Sequence, residues 1–396
     1  MLLVGGMAPV ADADALWGDR LELFVSEAVT HDDNVFRISS QSDPAAVLGS
    51  PGDTYRTTSF GFNLDVPVSR QRFTGGLTLN NTNYDRFTVL NFDGHDGRAI
   101  WQWQIGNQLS GELGYTETLA LSSLANIQGD VQSSTPNPLK TQRTFFNAAY
   151  TLTPRWRLQG EVSRLEQSNE VFEFQVNDIG IDGTDLTASY FTPANNQVGL
   201  NMRVEEARFP NSQTVGTIVI DNAYRQYRVA AITDLTLTGR SHVSARAGWI
   251  SRSHDQLPER DFTGSIFHAA YDWMATGKLT LSAIAQRDVS ATEQVNTSFV
   301  LVKGAALRPS LRPTEKVRLS GAYEYSEREY RGDPGQVVST VPPRTDQVRS
   351  AGLAVSYRPV RSVTLEMAVR RETRSSTFVS GDYKAEIFSV SARLGF

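Results

Sequence analysis

Alternation with a period of two restricts this chain more than any other feature. Phe60, Phe62, Leu64 and Val66 alternate with Ser59, Gly61, Asn63 and Asp65; Phe73, Gly75, Leu77 and Leu79 alternate with Arg72, Thr74, Gly76 and Thr78. The pattern returns at Val198, Leu200, Met202 and Val204, and at Val363, Leu365, Met367 and Val369. It closes the chain, where Phe388, Val390, Ala392, Leu394 and Phe396 share one parity. A strand turns successive side chains to opposite faces, so each stretch carries one apolar and one polar face. No helical stripe of comparable length competes, and the chain reads as all-β.

Composition narrows what the apolar faces can meet. The 396 residues are 40% hydrophobic and 20% charged, and the mean hydropathy of -0.32 resembles that of a water-soluble protein. No stretch approaches the roughly 20 consecutive apolar residues that a membrane helix needs. A transmembrane β-barrel stays open, because lipid-facing and lumen-facing residues alternate and keep the average low. Cysteine is absent, which excludes disulfides, thiolate metal sites and a catalytic thiol. A net charge of -5 argues against nucleic-acid binding, which calls for a basic face.

The connectors sort the strands. Tight turns are expected at "VPVSR" from Val66, "TPRW" from Thr153, "TPAN" from Thr192, "MATGK" from Met274 and "RPVRS" from Arg358. Between them lie longer polar segments such as "LSSLANIQGDVQSSTPNPLK", "QSNEVFEFQVNDIGIDGTD" and "REYRGDPGQVVSTVPPRTD". Short and long connectors in alternation predict a transmembrane, antiparallel, up-and-down β-barrel of about 18 strands (16 to 18), with short periplasmic turns and long extracellular loops. Its place is the bacterial outer membrane. Residues 1–15, apolar with Ala-x-Ala triplets at Ala11–Ala13 and Ala13–Ala15 but no Lys or Arg before Arg20, resemble a signal peptide. Residues 16–396 are expected to form one barrel domain.

Aromatic rings fall where such a barrel wants them. Trp156 follows one turn, while Trp273 and Tyr357 each precede one; Trp249 and Tyr325 lie toward the other strand ends. Rings with one wet and one apolar side suit the two bilayer interfaces. The terminal Phe396 then closes a lipid-facing row at the periplasmic rim. By parity the lumen wall should include Arg157, Glu161, Arg203, Glu205, Arg228, Arg246, Arg318, Glu324, Glu366 and Arg370. Both signs occur among them, mixed with hydroxyls and amides, which suits a hydrated polar polymer. Alternatively these charges pair across strands and stiffen the wall.

Catalytic constellations are not evident. His31, His95, His242, His254 and His268 are scattered, and no nucleophile elbow or Walker loop occurs. The run "NFDGHDG" from Asn91 groups Asp93, His95 and Asp96, but Asp-Gly pairs are foremost turn formers, and a loop Ca²⁺ site there is the lesser reading. No cofactor, metal or enzymatic activity is expected.

An opening strand followed by Asp32-Asp33-Asn34-Val35-Phe36-Arg37, in an all-β chain closing on "SVSARLGF", resembles the EpsL-type outer-membrane β-barrel family of exopolysaccharide operons linked to exosortase and PEP-CTERM systems. The resemblance implies a passage for exopolysaccharide to the cell surface. It also implies a periplasmic polysaccharide export protein as partner. The outer-membrane lipid, lipopolysaccharide included, and the barrel assembly machinery, which would read the terminal Phe, complete the expected partners. The alternative is a general or solute-specific diffusion porin, and a third reading is a barrel hydrolase. Physically, Asp32, Asp33 and Asn34 would cap the first strand and open its loop.

Overall fold

The alternating rows become strands that each pair with the next. The computed structural model describes residues 20–39, 49–122, 136–211, 213–215, 218–290, 299–331, 344–378 and 381–396. In chain order the strands are β1 (Leu21–Asp32), β2 (Asp53–Val68), β3 (Gln71–Tyr84), β4 (Phe92–Ile105), β5 (Leu109–Leu121), β6 (Pro138–Thr153) and β7 (Trp156–Asn169). Then come β8 (Ile179–Phe191), β9 (Gln197–Arg208), the short β10 (Gln213–Val215) and β11 (Ile218–Ile220), β12 (Tyr224–Thr238), β13 (Ser241–His254) and β14 (Phe262–Met274). The chain finishes with β15 (Leu279–Ser290), β16 (Phe299–Leu311), β17 (Val317–Arg331), β18 (Thr345–Tyr357), β19 (Val363–Ser376) and β20 (Tyr383–Gly395).

Strands β10 and β11 form a separate hairpin, and the others make one 18-stranded sheet. β20 pairs antiparallel with β1, so the sheet closes and no edge remains. Phe396 takes part in this closure: its N–H donates to the Leu23 carbonyl (2.8 Å), and the Leu23 N–H donates to the Phe396 carbonyl (3.2 Å). The architecture is therefore a closed, up-and-down, antiparallel barrel of the outer-membrane type. The signal-like residues 1–15 lie outside the described residues.

Connections at one end are two to five residues long, as at Ser69–Arg70 and Pro154–Arg155, and those at the other end run from six to twenty. Loop length assigns the first end to the periplasm. Both chain ends of the barrel, Leu21 and Gly395, then lie on the periplasmic side. Ser69 holds a φ of 56° and Gly106 one of 61°, the left-handed conformations that let such tight turns reverse the chain.

Register carries each apolar row around the outside. Val25, Phe60 and Leu79 are directly opposed, as are Tyr190, Val198 and Thr233, and Val355, Met367 and Val390. This outer face is exposed, Phe60 at 58% and Met367 at 52%, with Leu200 at 65% and Leu353 at 68% beside them. That is the lipid-facing band of a barrel. Trp156, Trp249, Trp273 and Tyr357 belong to the same exposed face. Toward the extracellular end the rows turn polar, with Arg164, Asp182, Glu206 and Arg225 opposed in sequence around four strands.

Two expectations about local structure fail. "NFDGHDG" does not turn: it opens β4, with Asp93 and His95 on the outer face and Asp96 on the inner. Gly94 makes room for the Phe92 ring, which a Cβ there would meet at 2.9 Å, so aromatic packing overrides turn propensity. The long connector expected from Gln167 is also shorter than read, because Ile179 already begins β8.

Candidate functional site

The inward face is where the chain places its arginines. Among the described residues every strand lysine (Lys140, Lys303, Lys384) lies in the outward register, while the inward strand cations other than histidine are all arginine. Arginine suits a confined polar wall, since its planar fork bonds carboxylates in pairs and is more weakly hydrated than an ammonium group. All ten residues read from parity (Arg157, Glu161, Arg203, Glu205, Arg228, Arg246, Arg318, Glu324, Glu366 and Arg370) fall in the register opposite the exposed apolar rows.

The register brings some of them together. Glu161 accepts from Arg143 at 2.6 Å and lies 4.0 Å from Arg203, which also bonds Glu205 at 2.8 Å and faces Asp185 at 3.9 Å. Glu324 accepts from Arg308 at 2.6 Å, Arg246 pairs with Asp288 at 3.3 Å, and Arg370 bonds Glu372 and the Ser350 hydroxyl. Arg157, Arg228 and Arg318 have no ion-pair partner among the described residues. The Nε atoms of Arg157, Arg228 and Arg246 are buried and make no hydrogen bond there.

At the extracellular mouth the charges are saturated. Asp346, fully buried, takes two bonds from Arg344 (2.7 and 2.9 Å) and one from the Ser376 hydroxyl (2.6 Å). Arg374 lies 3.9 Å from the same carboxylate, donates to the Gly381 carbonyl at 2.5 Å and stacks on Tyr383 at 4.6 Å. The Asp32–Arg37 run joins this cluster. Asp32 pairs with Arg37 at 2.9 Å, and Asn34 donates to the Lys384 and Ile38 carbonyls, each at 2.9 Å. Asp33 accepts from the Glu386 N–H at 2.7 Å. The run is a clasp that ties residues 33–38, the start of the first extracellular connection, to the start of β20.

The periplasmic end differs. It holds a cavity of about 930 Å³, lined by eight cationic side chains and four carboxylates, Glu22, Asp96, Glu315 and Glu366. The cations are Arg98, Arg312, Arg318, Arg358, Arg361 and Arg393, joined by Lys278 and Lys316 of the turns. Arg393 pairs with Glu22 at 3.1 Å and lies 3.7 Å over the Phe24 ring. Phe24 in turn fills the space left by Gly61, where a Cβ would meet the ring at 2.7 Å. Sequence reading placed Arg318 and Glu366 on this wall but missed Arg312, Arg358 and Arg361, which lie at or in turns. Their signal was the pair of basic turns "RPTEK" and "RPVRS".

Among the described residues the histidines meet carboxylates only in separate pairs. His242 bonds Asp234 at 2.9 Å, His254 meets Asp261 at 3.3 Å, and His95 meets Glu117 at 2.7 Å. Among the described residues no serine hydroxyl bonds a histidine, and no three His, Asp or Glu side chains converge as a metal site.

A closed barrel with an apolar outer band and a charged, cavity-bearing interior defines an outer-membrane β-barrel of porin type. Residues 225–396 match the model of the family described as "Putative beta-barrel porin 2". No curated protein matches the sequence. Similar solved structures include OccK2 (OpdF) of Pseudomonas aeruginosa, with a TM-score of 0.52 at 11% identity, covering 95% of this chain and 98% of that one. OpdK of the same organism, solved with vanillate, gives 0.51 at 11%, covering 95% and 99%. A BenF-like porin of Pseudomonas fluorescens Pf-5 gives 0.50 at 12%, covering 95% and 98%. At these identities the likeness is one of fold.

The expectation of an exopolysaccharide passage is overturned. The matching family model is described as a beta-barrel porin, and one of the solved structures of similar fold is named a BenF-like porin. The physical reason lies in the wall. Six of the ten charges read as a surface for a polymer, Glu161, Arg203, Glu205, Arg246, Glu324 and Arg370, are held in ion pairs along and across the strands.

Proposed function

We infer that the protein is a solute-specific diffusion porin that passes small hydrophilic molecules across the outer membrane. The observation that carries this reading is the closed barrel with a polar inner face and a cation-rich cavity at its periplasmic end. Paired wall charges hold the lumen's shape, and the clasp fixes residues 33–39 at the mouth. A fixed path lined by polar and charged side chains selects small solutes by their charge and hydrogen bonding. In this reading the outer charged belt around Arg164, Glu206 and Arg225 meets lipopolysaccharide headgroups, and the assembly machinery reads Phe396. The likeness of Asp32–Arg37 to EpsL-type barrels is compatible with it, since that segment shapes the mouth.

The test is reconstitution. Purified barrel in planar bilayers should open discrete channels, and liposomes carrying it should swell in arabinose but not in a dextran too large for the lumen. A barrel shown to be folded by its heat-dependent gel mobility that gave neither conductance nor swelling would overturn the reading.

A further inference from the structure

We propose that the outer face of β18–β20 binds a phosphate of lipid A, the glycolipid anchor of lipopolysaccharide, through Arg349 and Lys384. The inference deepens the reading of the outer charged belt and rests on the barrel's place in the outer membrane, not on what the lumen conducts. Register sets Tyr325, Arg349, Thr373 and Lys384 side by side in one outward row. Arg349 and Lys384 are exposed, and neither side chain has a hydrogen-bond or ion-pair partner among the described residues. Two interstrand spacings, roughly 10 Å, separate their backbones, with Thr373 between. Both side chains are long enough to converge on one anion.

Across the barrel the belt's charges are already spent. Arg164 bonds Glu166 at 2.8 Å, and Glu206 accepts from Arg225 at 2.6 Å and lies 3.6 Å from Arg208. On β18–β20 the outward strand cations Arg349, Arg371 and Lys384 meet one outward carboxylate, Glu386, which lies 3.4 Å from Arg371. The surplus calls for an anion, and a phosphate offers several acceptor oxygens to a guanidinium fork and an ammonium group together. The neighbouring rows say what carries that phosphate. Nearer the membrane centre Leu353, Val369 and Phe388 are opposed and exposed, a surface for acyl chains. Farther out Gln347 and Ser375 are opposed and exposed, an amide and a hydroxyl for a sugar. Apolar row, cations, then neutral polar groups is the order in which a phosphorylated glycolipid leaves the bilayer, and loop length assigns this end to the extracellular leaflet.

The experiment is native mass spectrometry of the full, detergent-solubilised barrel titrated with bisphosphorylated lipid A, dephosphorylated lipid A and phosphatidylglycerol, with and without EDTA. Lipid A should be retained most tightly, and EDTA should not release it, because side chains rather than a bridging metal supply the charge. The Arg349→Gln/Lys384→Gln variant should lose affinity by about tenfold or more, the order expected for losing charge-assisted hydrogen bonds. Arg240→Gln, in a periplasmic turn, should bind as wild type. Should the double variant fail to fold, Arg349→Gln and Lys384→Gln singly should each still weaken lipid A. Equal retention of the dephosphorylated form or of phosphatidylglycerol, release by EDTA, displacement by inorganic phosphate, or folded variants that bind as wild type would each overturn the proposal. Conductance separates the two readings: a barrel that conducts without retaining lipid A removes the site alone, and one that retains lipid A without conducting removes the porin reading alone.

Discussion

At the extracellular mouth Arg374 is 3% exposed, donates to a carbonyl, stacks on Tyr383 and shares Asp346 with Arg344. At the periplasmic end Arg318 has no such partners among the described residues, and Arg312 and Arg358 border the same cavity. One residue type thus serves two purposes, separated by what surrounds it. Where carboxylates, carbonyls and rings satisfy every donor, arginine is a structural bolt that holds loops to strands. Where cations outnumber carboxylates, the same side chain is left with donors for a ligand.

The largest effect should come from unbolting the mouth. Asp346→Ala leaves Arg344 and Arg374 without their common carboxylate in a buried setting, and should destabilise the barrel by about 3–5 kcal/mol. Tryptophan-detected unfolding in guanidinium, with the barrel in lipid vesicles, measures this. A loss below about 1 kcal/mol would mean that the mouth charges are solvated and that the two ends do not differ as described.

Between the ends lies the band that makes the comparison possible, because it fixes which part of the barrel is in lipid. Leu200 points outward between Ala188 and Ala231. Leu200→Arg should cost about 2–4 kcal/mol, the penalty for a cation near the bilayer midplane. The same substitution at outward Thr373, near the extracellular end, should cost about 0–1 kcal/mol. Equal costs would show that the band has been placed at the wrong height.

The clasp should give a smaller loss. Asn34→Ala leaves the Lys384 carbonyl and the Ile38 backbone without their partner, about 1–3 kcal/mol for buried groups left unsatisfied. The expected sign is faster proteolysis within the first loop at unchanged barrel mobility on gels. Unchanged proteolysis would mean that the Asp32–Arg37 run does not hold that loop.

How much of this was legible follows from the range of each interaction. The rows from Phe60, Phe73, Val198 and Val363 could be read directly, because side-chain alternation is local, and strand number followed from turn spacing. Which wall charges pair could not be read. Arg143 meets Glu161, and Arg318 meets no carboxylate among the described residues, only because of register between strands. Asn34 finds Lys384 across 350 positions, a contact created by barrel closure. Asp93-Gly94 misled because turn propensity is a local signal, and a ring packed on a glycine outweighs it. The cavity was half legible: parity found Arg318 and Glu366, but Arg312 and Arg358 lie where the strand pattern stops.

The smallest expected effect is the most discriminating, because it applies one substitution to both ends. Arg374→Gln removes a donor to Gly381, a stacking partner for Tyr383 and one of the cations near Asp346, and should destabilise by about 1.5–3 kcal/mol. Arg318→Gln removes no hydrogen bond and relieves the proximity of Arg312 and Arg358, so its stability change should stay within about 0.5 kcal/mol and lean toward stabilisation. Raising the salt should shrink the Arg318→Gln effect further, since screening weakens repulsion in an open cavity. It should leave the buried Arg374→Gln effect nearly unchanged. If Arg318→Gln costs as much as Arg374→Gln, then Arg318 is also a bolt, and the contrast between a saturated mouth and an open vestibule fails at its central residue.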